Sequence, residues 1–434
     1  MRARRAVVAG GGVTGLAAAL HLRRAGFQVE VHEVAEATGG MVRPAPFRGV
    51  GCDLGSHRLH PEALGEPLLR ELARVVPFES RPRRGRIVLG GRHLPYPLSP
   101  IGLLRGLGLA RAASFAAGWL GRTPLATWER DRRRSDHDEG YDAFVRSRVG
   151  DAAYDAFYRP YAEKVWGIHP AALSRSVAKK RVSTAQPAAM LARGLRGERY
   201  AYPRGGMAAL LAGLDRMARD AGVRVHTGRR ASRDTDADRV VWTAPLAQLA
   251  PGHGLRHRGL YLVFLAFPVP RLSDVETFYV PERAYWFGRV SEASNYSDSM
   301  HNRRESVLCL EIPEGAWGRG RDFVSQAPVL VEQLRAAGIL GRSVPGPVAA
   351  HQLWLPGVYP IYERGWQAQW RAALTAATAD GRTVPVGRQG LFLHCNIDHC
   401  LAMAGAAAAH VAAGRSAATW AEQAGPYAEL RVRD

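Results

Sequence analysis

The chain has 434 residues, 47% hydrophobic and 23% charged, enough apolar material for two or three cored domains and not the composition of a disordered or fibrous protein. Its formal charge is +20, nearly all of it arginine, since Lys164, Lys179 and Lys180 are the only lysines. No basic run is interleaved with stacking aromatics as a nucleic-acid groove requires, so no nucleic-acid partner is expected, whereas anionic small molecules suit the charge.

An apolar strand from residue 6 runs straight into Gly10-x-Gly12-x-x-Gly15; a helix is predicted over 15–25 and a second strand over 27–32, ending on Glu33. This is the order of a dinucleotide-binding βαβ unit. Gly10 permits the tight turn, Gly12 lets backbone approach a pyrophosphate, and Gly15 lets the helix pack on the strand. Glu33 is placed to hold adenosine ribose hydroxyls and to repel a 2′-phosphate. The residues at 1–5 imitate a signal peptide, but the apolar stretch behind them is the phosphate loop, so no cleaved leader is expected. A second glycine pair, Gly39-Gly40, follows with Arg43 close behind, and then a loop over 51–60 containing Gly55, Ser56 and His57. A simple NAD dehydrogenase has no need of that second loop, whereas a chain wrapping the ribityl and isoalloxazine parts of FAD does.

Residues 61–199 read as mostly helical, with breaks at Pro77, 95–97 and Pro124 and an exposed charged loop over 129–139. The stretch 101–120 is interrupted by Arg105 and Arg111, too charged to span a membrane. It reads as an amphipathic helix packed within the protein, with a peripheral membrane contact as the alternative. Residues 200–206 open a helix over 207–220, and strands at 223–226 and 239–245 return to the first sheet. Residues 261–267, 276–280, 285–290 and 306–312 alternate with turn residues, the pattern of an antiparallel sheet. Finally, 390–399 is read as a strand entering a small-residue helix over 401–413 whose N-terminus points at the flavin.

The expected architecture is therefore α/β: a discontinuous Rossmann-like FAD-binding domain of 1–60, 200–255 and 385–434, a helical substrate-side domain of 61–199, and an antiparallel-sheet substrate domain of 256–384. Cys52, Cys309, Cys395 and Cys400 match neither a zinc pattern nor a disulfide framework, so no metal is expected and a reducing cytoplasm is the expected compartment.

Beyond the glycines, the chain resembles the flavoprotein superfamily of amine oxidases, protoporphyrinogen oxidase, phytoene desaturases and UDP-galactopyranose mutase, and most of all its mutase-like bacterial FAD oxidoreductases. The residues that carry this are Gly55-Ser56-His57-x-x-His60, Tyr161-Ala-Glu-Lys-Val-Trp166-Gly167 and Asn396-Ile-Asp398-His399. The resemblance implies noncovalent FAD, held by Gly10, Gly12, Gly15, Glu33, Gly39, Gly40, Arg43, Gly55, Ser56, Asn396, Asp398 and His399. It implies His57 and Arg258 as the candidate catalytic residues beside the isoalloxazine, His57 by donating to the ring or moving a proton near neutral pH. Tyr161 and Trp166 would line the substrate pocket; the competing reading makes them core aromatics, as it makes His57 a loop support and Arg258 a solvated arginine.

Two departures weaken the diphosphate-sugar reading: Ala185 stands where the mutase has a diphosphate-gripping arginine, and His394 replaces a tyrosine. Tyr359 and Tyr362 are the replacement contacts, with His394 added to the substrate side. The function so implied is hydride transfer between flavin and a small or pathway-bound substrate of sugar, polysaccharide or natural-product biosynthesis. The alternative is a redox-neutral nucleotide-sugar isomerase that uses reduced FAD.

Overall fold

A computed structural model describes residues 3–96, 106–108, 113–115, 140–181, 198–302, 304–315, 320–430 and 432. The chain opens with β1 (Arg5–Ala9), α1 (Val13–Arg24) and β2 (Gln28–His32), then a hairpin of β3 (Ala45–Phe47) and β4 (Val50–Cys52). Strands β5 (Phe78–Pro82), β6 (Gly85–Leu89) and β7 (Arg92–Tyr96) precede helices α2 (Tyr141–Val149), α3 (Arg159–Trp166) and α4 (Arg175–Arg181). After β8 (Arg199–Pro203) and α5 (Gly206–Asp220) come β9 (Arg224–His226) and β10 (Arg239–Trp242). The chain continues through β11 (His257–Phe267), β12 (Thr277–Tyr279), β13 (Arg289–Glu292), β14 (Ser306–Pro313), α6 (Ala327–Ala336) and β15 (Ala349–Pro360). It continues with α7 (Trp366–Thr378), β16 (Thr383–Pro385) and α8 (Ile397–Ala412), and a last α-helix, α9 (Ala417–Gln423), follows.

One sheet is wholly parallel, in the order β16-β10-β1-β2-β9. Ala9 pairs with both His32 and Trp242, so Gly10, Glu33 and Thr243 leave the sheet side by side at its carboxyl edge. That edge is where an open α/β sheet takes its ligand. Helix α1 lies against α8, and their buried faces are rich in alanine and glycine, which lets the two approach closely.

The second sheet runs β15-β11-β14-β13-β12-β6-β7 and is antiparallel except at β12 and β6. Strand β11 sends Leu260, Leu262 and Phe264 into the core shared with the parallel sheet, and Tyr261, Val263 and Leu265 against Leu330 and Leu334 of α6. Covered on both faces, it reads as an unbroken apolar run.

Three sequence expectations change. Residues 78–96 are not helical: they form three strands, two of which extend the sheet assigned to 256–384. Pro95, one of the expected breaks, sits on β7, an edge strand, where a missing N–H costs no ladder bond. No strand precedes α8 at 390–395. The short β16 takes that place, and the chain then turns over the sheet edge, where a methyl group on Gly390 would stand 2.3 Å from the Trp242 carbonyl oxygen. The strand expected from 285 begins at Arg289, behind a turn. The expected helix at 101–120 lies mostly, and the loop at 129–139 and Ala185 wholly, outside the described residues.

Candidate active site

The glycine loop is built from backbone alone. Gly10 leaves β1 at φ +102°, and its N–H donates to the His32 carbonyl at 2.9 Å, tying the turn to β2. A methyl group on Gly15 would stand 1.9 Å from the Gly10 carbonyl oxygen, closer than any packing allows. Gly12 caps α1 without a side-chain bond, and no acidic residue lies in its first turn, so the free N–H groups form an open anion site. Gly39 and Gly40 close on this loop: the Gly39 N–H donates to the Gly11 carbonyl at 2.9 Å, and a methyl group on Gly40 would lie 3.3 Å from Gly12 Cα. Arg43 donates to the Gly40 carbonyl at 3.2 Å. Glu33 is buried at the end of β2, where Oε2 accepts from the Gly11 N–H at 2.7 Å and Oε1 from the Ala35 N–H at 2.8 Å.

A second helix end meets this cradle. Asn396 and His399 cap α8 reciprocally, with Asp398 in the first turn, and the Thr14 hydroxyl of α1 is hydrogen-bonded to Cys400. These residues fit FAD. An uncapped helix end suits a pyrophosphate, a fixed carboxylate beside it suits a ribose, and two glycine loops in contact leave no side chain between them.

On the other side of the cradle Glu311 is the hub. It lies directly opposite Arg289 across β13 and β14 and accepts from Arg289 Nε at 2.7 Å and Nη2 at 2.6 Å. The Ser56 N–H donates to its Oε1 at 3.1 Å, and Tyr359 OH lies 3.5 Å from Oε2. Gly55, at φ +85°, is needed there, because a methyl group would approach Glu311 Oε1 to 2.8 Å. The Ser56 hydroxyl is hydrogen-bonded to Tyr296 and to Thr277, the latter at 2.9 Å. Nearby, Arg58 donates to Glu276 at 3.0 Å and to Tyr279 OH at 2.8 Å. The loop after β4 is thus held at Gly55, Ser56 and Arg58.

His57 rides on that loop. Burial, then the charges of Arg289 and Arg388, depress its pKa to about 4 against the opposing pull of Glu311, and its buried Nδ1 has no hydrogen-bond partner. The ring is neutral at pH 7, which corrects the expectation of a proton carrier near neutrality.

Helix α3 brings Tyr161 and Trp166 to the same region. Tyr161 is half-buried and stacks on Phe157 at 5.6 Å, whereas Trp166 is buried beside Tyr141 at 6.4 Å. Gly167 ends the helix in the left-handed region at φ +69°, and the Arg258 guanidinium lies flat on it: a methyl group there would sit 2.1 Å from Nη1. Burial lowers the Arg258 pKa, only partly offset by Glu314, and its Nε is buried without a hydrogen-bond partner. Lys164 fixes the helix by donating to the carbonyls of Val280 at 2.9 Å, Glu282 at 2.5 Å and Phe287 at 3.1 Å.

Tyr359 faces the Arg289–Glu311 pair, but Tyr362 does not serve the substrate role expected of it. It is fully buried, donates to the Phe392 carbonyl at 3.1 Å and accepts from the His394 N–H at 2.7 Å. It shapes the turn before α8. His394 Nδ1 lies 3.1 Å from Arg388, which also donates to the carbonyls of Cys395 and Val358.

Sequence reading missed Arg289, Glu311 and Arg388. The one available signal was a lone acid in the otherwise apolar Leu308–Ile312 run. Among the described residues, Glu30, His32 and His226 have side-chain atoms within 4.8 Å of one another, but Arg224 already holds the Glu30 carboxylate at 2.7 Å, which makes this a charge cluster at the sheet edge. No helix among the described residues is long and apolar enough to cross a membrane.

The family model for flavin containing amine oxidoreductases matches residues 13–262. No curated protein matches at the level of sequence. Among solved structures, reduced UDP-galactopyranose mutase superposes with a TM-score of 0.79 at 18% identity, covering 100% of both chains. A putative protoporphyrinogen oxidase from Exiguobacterium sp. 255-15 follows with a TM-score of 0.70 at 18% identity, covering 96% of this chain and 100% of that one. Cyclohexylamine oxidase from Brevibacterium oxydans IH-35A gives 0.66 at 16% identity, covering 95% and 99%. At these identities the likeness establishes the fold.

Proposed function

Because the chain belongs to the flavin containing amine oxidoreductases, we propose that this FAD enzyme transfers a hydride between the flavin and a small anionic substrate, in cytoplasmic sugar, polysaccharide or natural-product biosynthesis. The observation that carries the reading is Arg258. Its guanidinium lies on Gly167, its Nε is buried without a partner and no ion pair neutralises it among the described residues, whereas Arg289 is paired with Glu311 and Arg58 with Glu276. A part-buried cation that Glu314 offsets only partly, without forming an ion pair, suits an anionic group.

FAD, when bound, supplies the hydride chemistry. The chain's own residues bind and orient. Gly12, Gly39, Gly40 and Glu33 hold the dinucleotide, with Gly10 and Gly15 shaping its turn, Arg43 bracing the second loop, and Asn396, Asp398 and His399 presenting the α8 end. Gly55 and Ser56 fix the loop that carries His57, whose neutral ring offers one free nitrogen for a hydrogen bond. Arg258 grips the anionic group, and Tyr161, Trp166, Tyr359 and His394 enclose the rest.

The test is anaerobic flavin bleaching by a panel of anionic, neutral and cationic candidates, with Arg258→Met as the comparison. Bleaching by an anionic substrate that the variant loses supports the reading; bleaching by a cationic amine, unaltered in the variant, overturns it. The full-length likeness to a reduced UDP-galactopyranose mutase favours a second reading, a redox-neutral isomerase. Turnover only after flavin reduction, with no net electron transfer, would select it.

A further inference from the structure

We propose that Cys395 and Cys400 form a reversible dithiol–disulfide pair that latches the N-terminus of α8. Their sulfurs lie 3.6 Å apart and both side chains are buried. With Asn396 as N-cap, Cys395 occupies the position before the cap and Cys400 the fourth helical position. Those are the two positions that pack in a hydrophobic staple. Here the staple is made of thiols, so the same contact has a covalent form. Bringing sulfurs from this separation to the disulfide length of about 2.05 Å needs a movement of about 1.5 Å, within the play of side-chain rotation.

The surroundings activate one of the two. The Cys395 sulfur, the Thr14 hydroxyl and the Arg388 backbone all hydrogen-bond to Cys400, and the Arg388 charge adds to them, outweighing burial and lowering its pKa to about 7. Its place in the first turn of a helix acts in the same direction. The other two cysteines are opposite in character. Burial and Asp53 push Cys52 up to about 12, and burial and Glu311 raise Cys309 well above the usual thiol range. They serve as internal controls.

The oxidant is hydrogen peroxide. The Cys400 thiolate attacks one peroxide oxygen, forming S–O as O–O breaks and hydroxide leaves. The Cys395 sulfur then attacks the Cys400 sulfur, forming S–S as S–O breaks and the oxygen departs as water. Two electrons pass from the sulfurs to the peroxide, and the thiol protons end in two waters. A small dithiol reverses the change by exchange.

The experiment treats the FAD-loaded protein with hydrogen peroxide, denatures it, alkylates the remaining thiols and maps them by mass spectrometry. The proposal expects the four reactive thiols to fall to two, Cys52 and Cys309, with the peptide spanning 395–400 lighter by two hydrogens and all four recovered after dithiothreitol. Amide hydrogen exchange over 396–400 should slow in the oxidised protein. In Cys395→Ser, dimedone should trap Cys400 as a sulfenic acid. Four thiols surviving at a peroxide dose that oxidises the methionines would overturn the pair, as would Cys400 found over-oxidised beside an alkylated Cys395. Unchanged exchange in a protein that does carry the disulfide would overturn the latch. The mapping needs no variant, so a folding defect in Cys395→Ser leaves it decisive.

Discussion

His57 is buried near Arg289, Arg388 and Glu311, and the consequence is readable in stability as well as in chemistry. Its folded pKa of about 4 lies below the ordinary 6.5, so between those values the unfolded chain binds the extra proton. Stability contributed by the neutral ring is therefore complete above about 6.5 and is lost as pH falls through about 4, at up to about 1.4 kcal/mol per pH unit. His57→Asn should flatten the rise of melting temperature across that window relative to the parent. An unchanged slope would assign the pH dependence to other groups such as His257, which burial also depresses to about 4. Glu33 is tested by Glu33→Gln. Both carboxylate oxygens accept backbone N–H groups, so the amide would turn a donor toward a donor besides losing the charge proposed to receive ribose hydroxyls. A lost charged hydrogen bond is worth roughly 1.5–3 kcal/mol, about 10- to 150-fold in FAD affinity. FAD titration of the apoprotein measures it, and an unaltered dissociation constant would place the adenosine elsewhere.

At the scale of elements, the last turn of α3 is fixed twice. Lys164 donates to three carbonyls of the turn before β13, and Gly167 ends the helix under the Arg258 guanidinium. That turn explains why the strand expected from 285 starts late: carbonyls of 280–287 face a lysine and not a neighbouring strand. Gly167→Ala should disturb Arg258 specifically. A methyl group cannot share the guanidinium's space, and the left-handed backbone adds about 1–2 kcal/mol of strain. Substrate affinity should fall at least about tenfold, equivalent to 1.4 kcal/mol, with FAD content unchanged. FAD loss with intact substrate binding would show that the Arg258 end of α3 belongs to the cofactor.

Across the whole molecule, what was legible in the sequence was what is local. The turn from Gly10 to Gly15 needs its glycines within six residues, and β1, α1 and β2 follow in order, so their positions could be read directly. The capping segment Asn396–His399 was legible for the same reason. Arg289 and Glu311 were not, because they meet only when β13 pairs with β14, and in an arginine-rich chain nothing local distinguishes one arginine from another. The membership of the β6–β7 hairpin in the second sheet was hidden because the strand that joins it there, β12, pairs with β6 from nearly two hundred residues downstream. The proposed cofactor site is assembled this way: residues 10–15, 33 and 39–40 come from the start of the chain and 396–399 from the end, while Thr243 from the middle braces the glycine turn through the Ala9 carbonyl. A ligand bound by segments so far apart is expected to stabilise the fold as a unit, since unfolding any of them releases it. FAD at a hundred times its dissociation constant should add about 2.7 kcal/mol, and the melting temperature of the apoprotein should climb with the logarithm of added FAD. Glu33→Gln should move that curve to higher FAD concentration while keeping its slope. A melting temperature indifferent to FAD would mean that the folded state does not depend on these segments meeting around the cofactor, and the assembled site described here would be wrong.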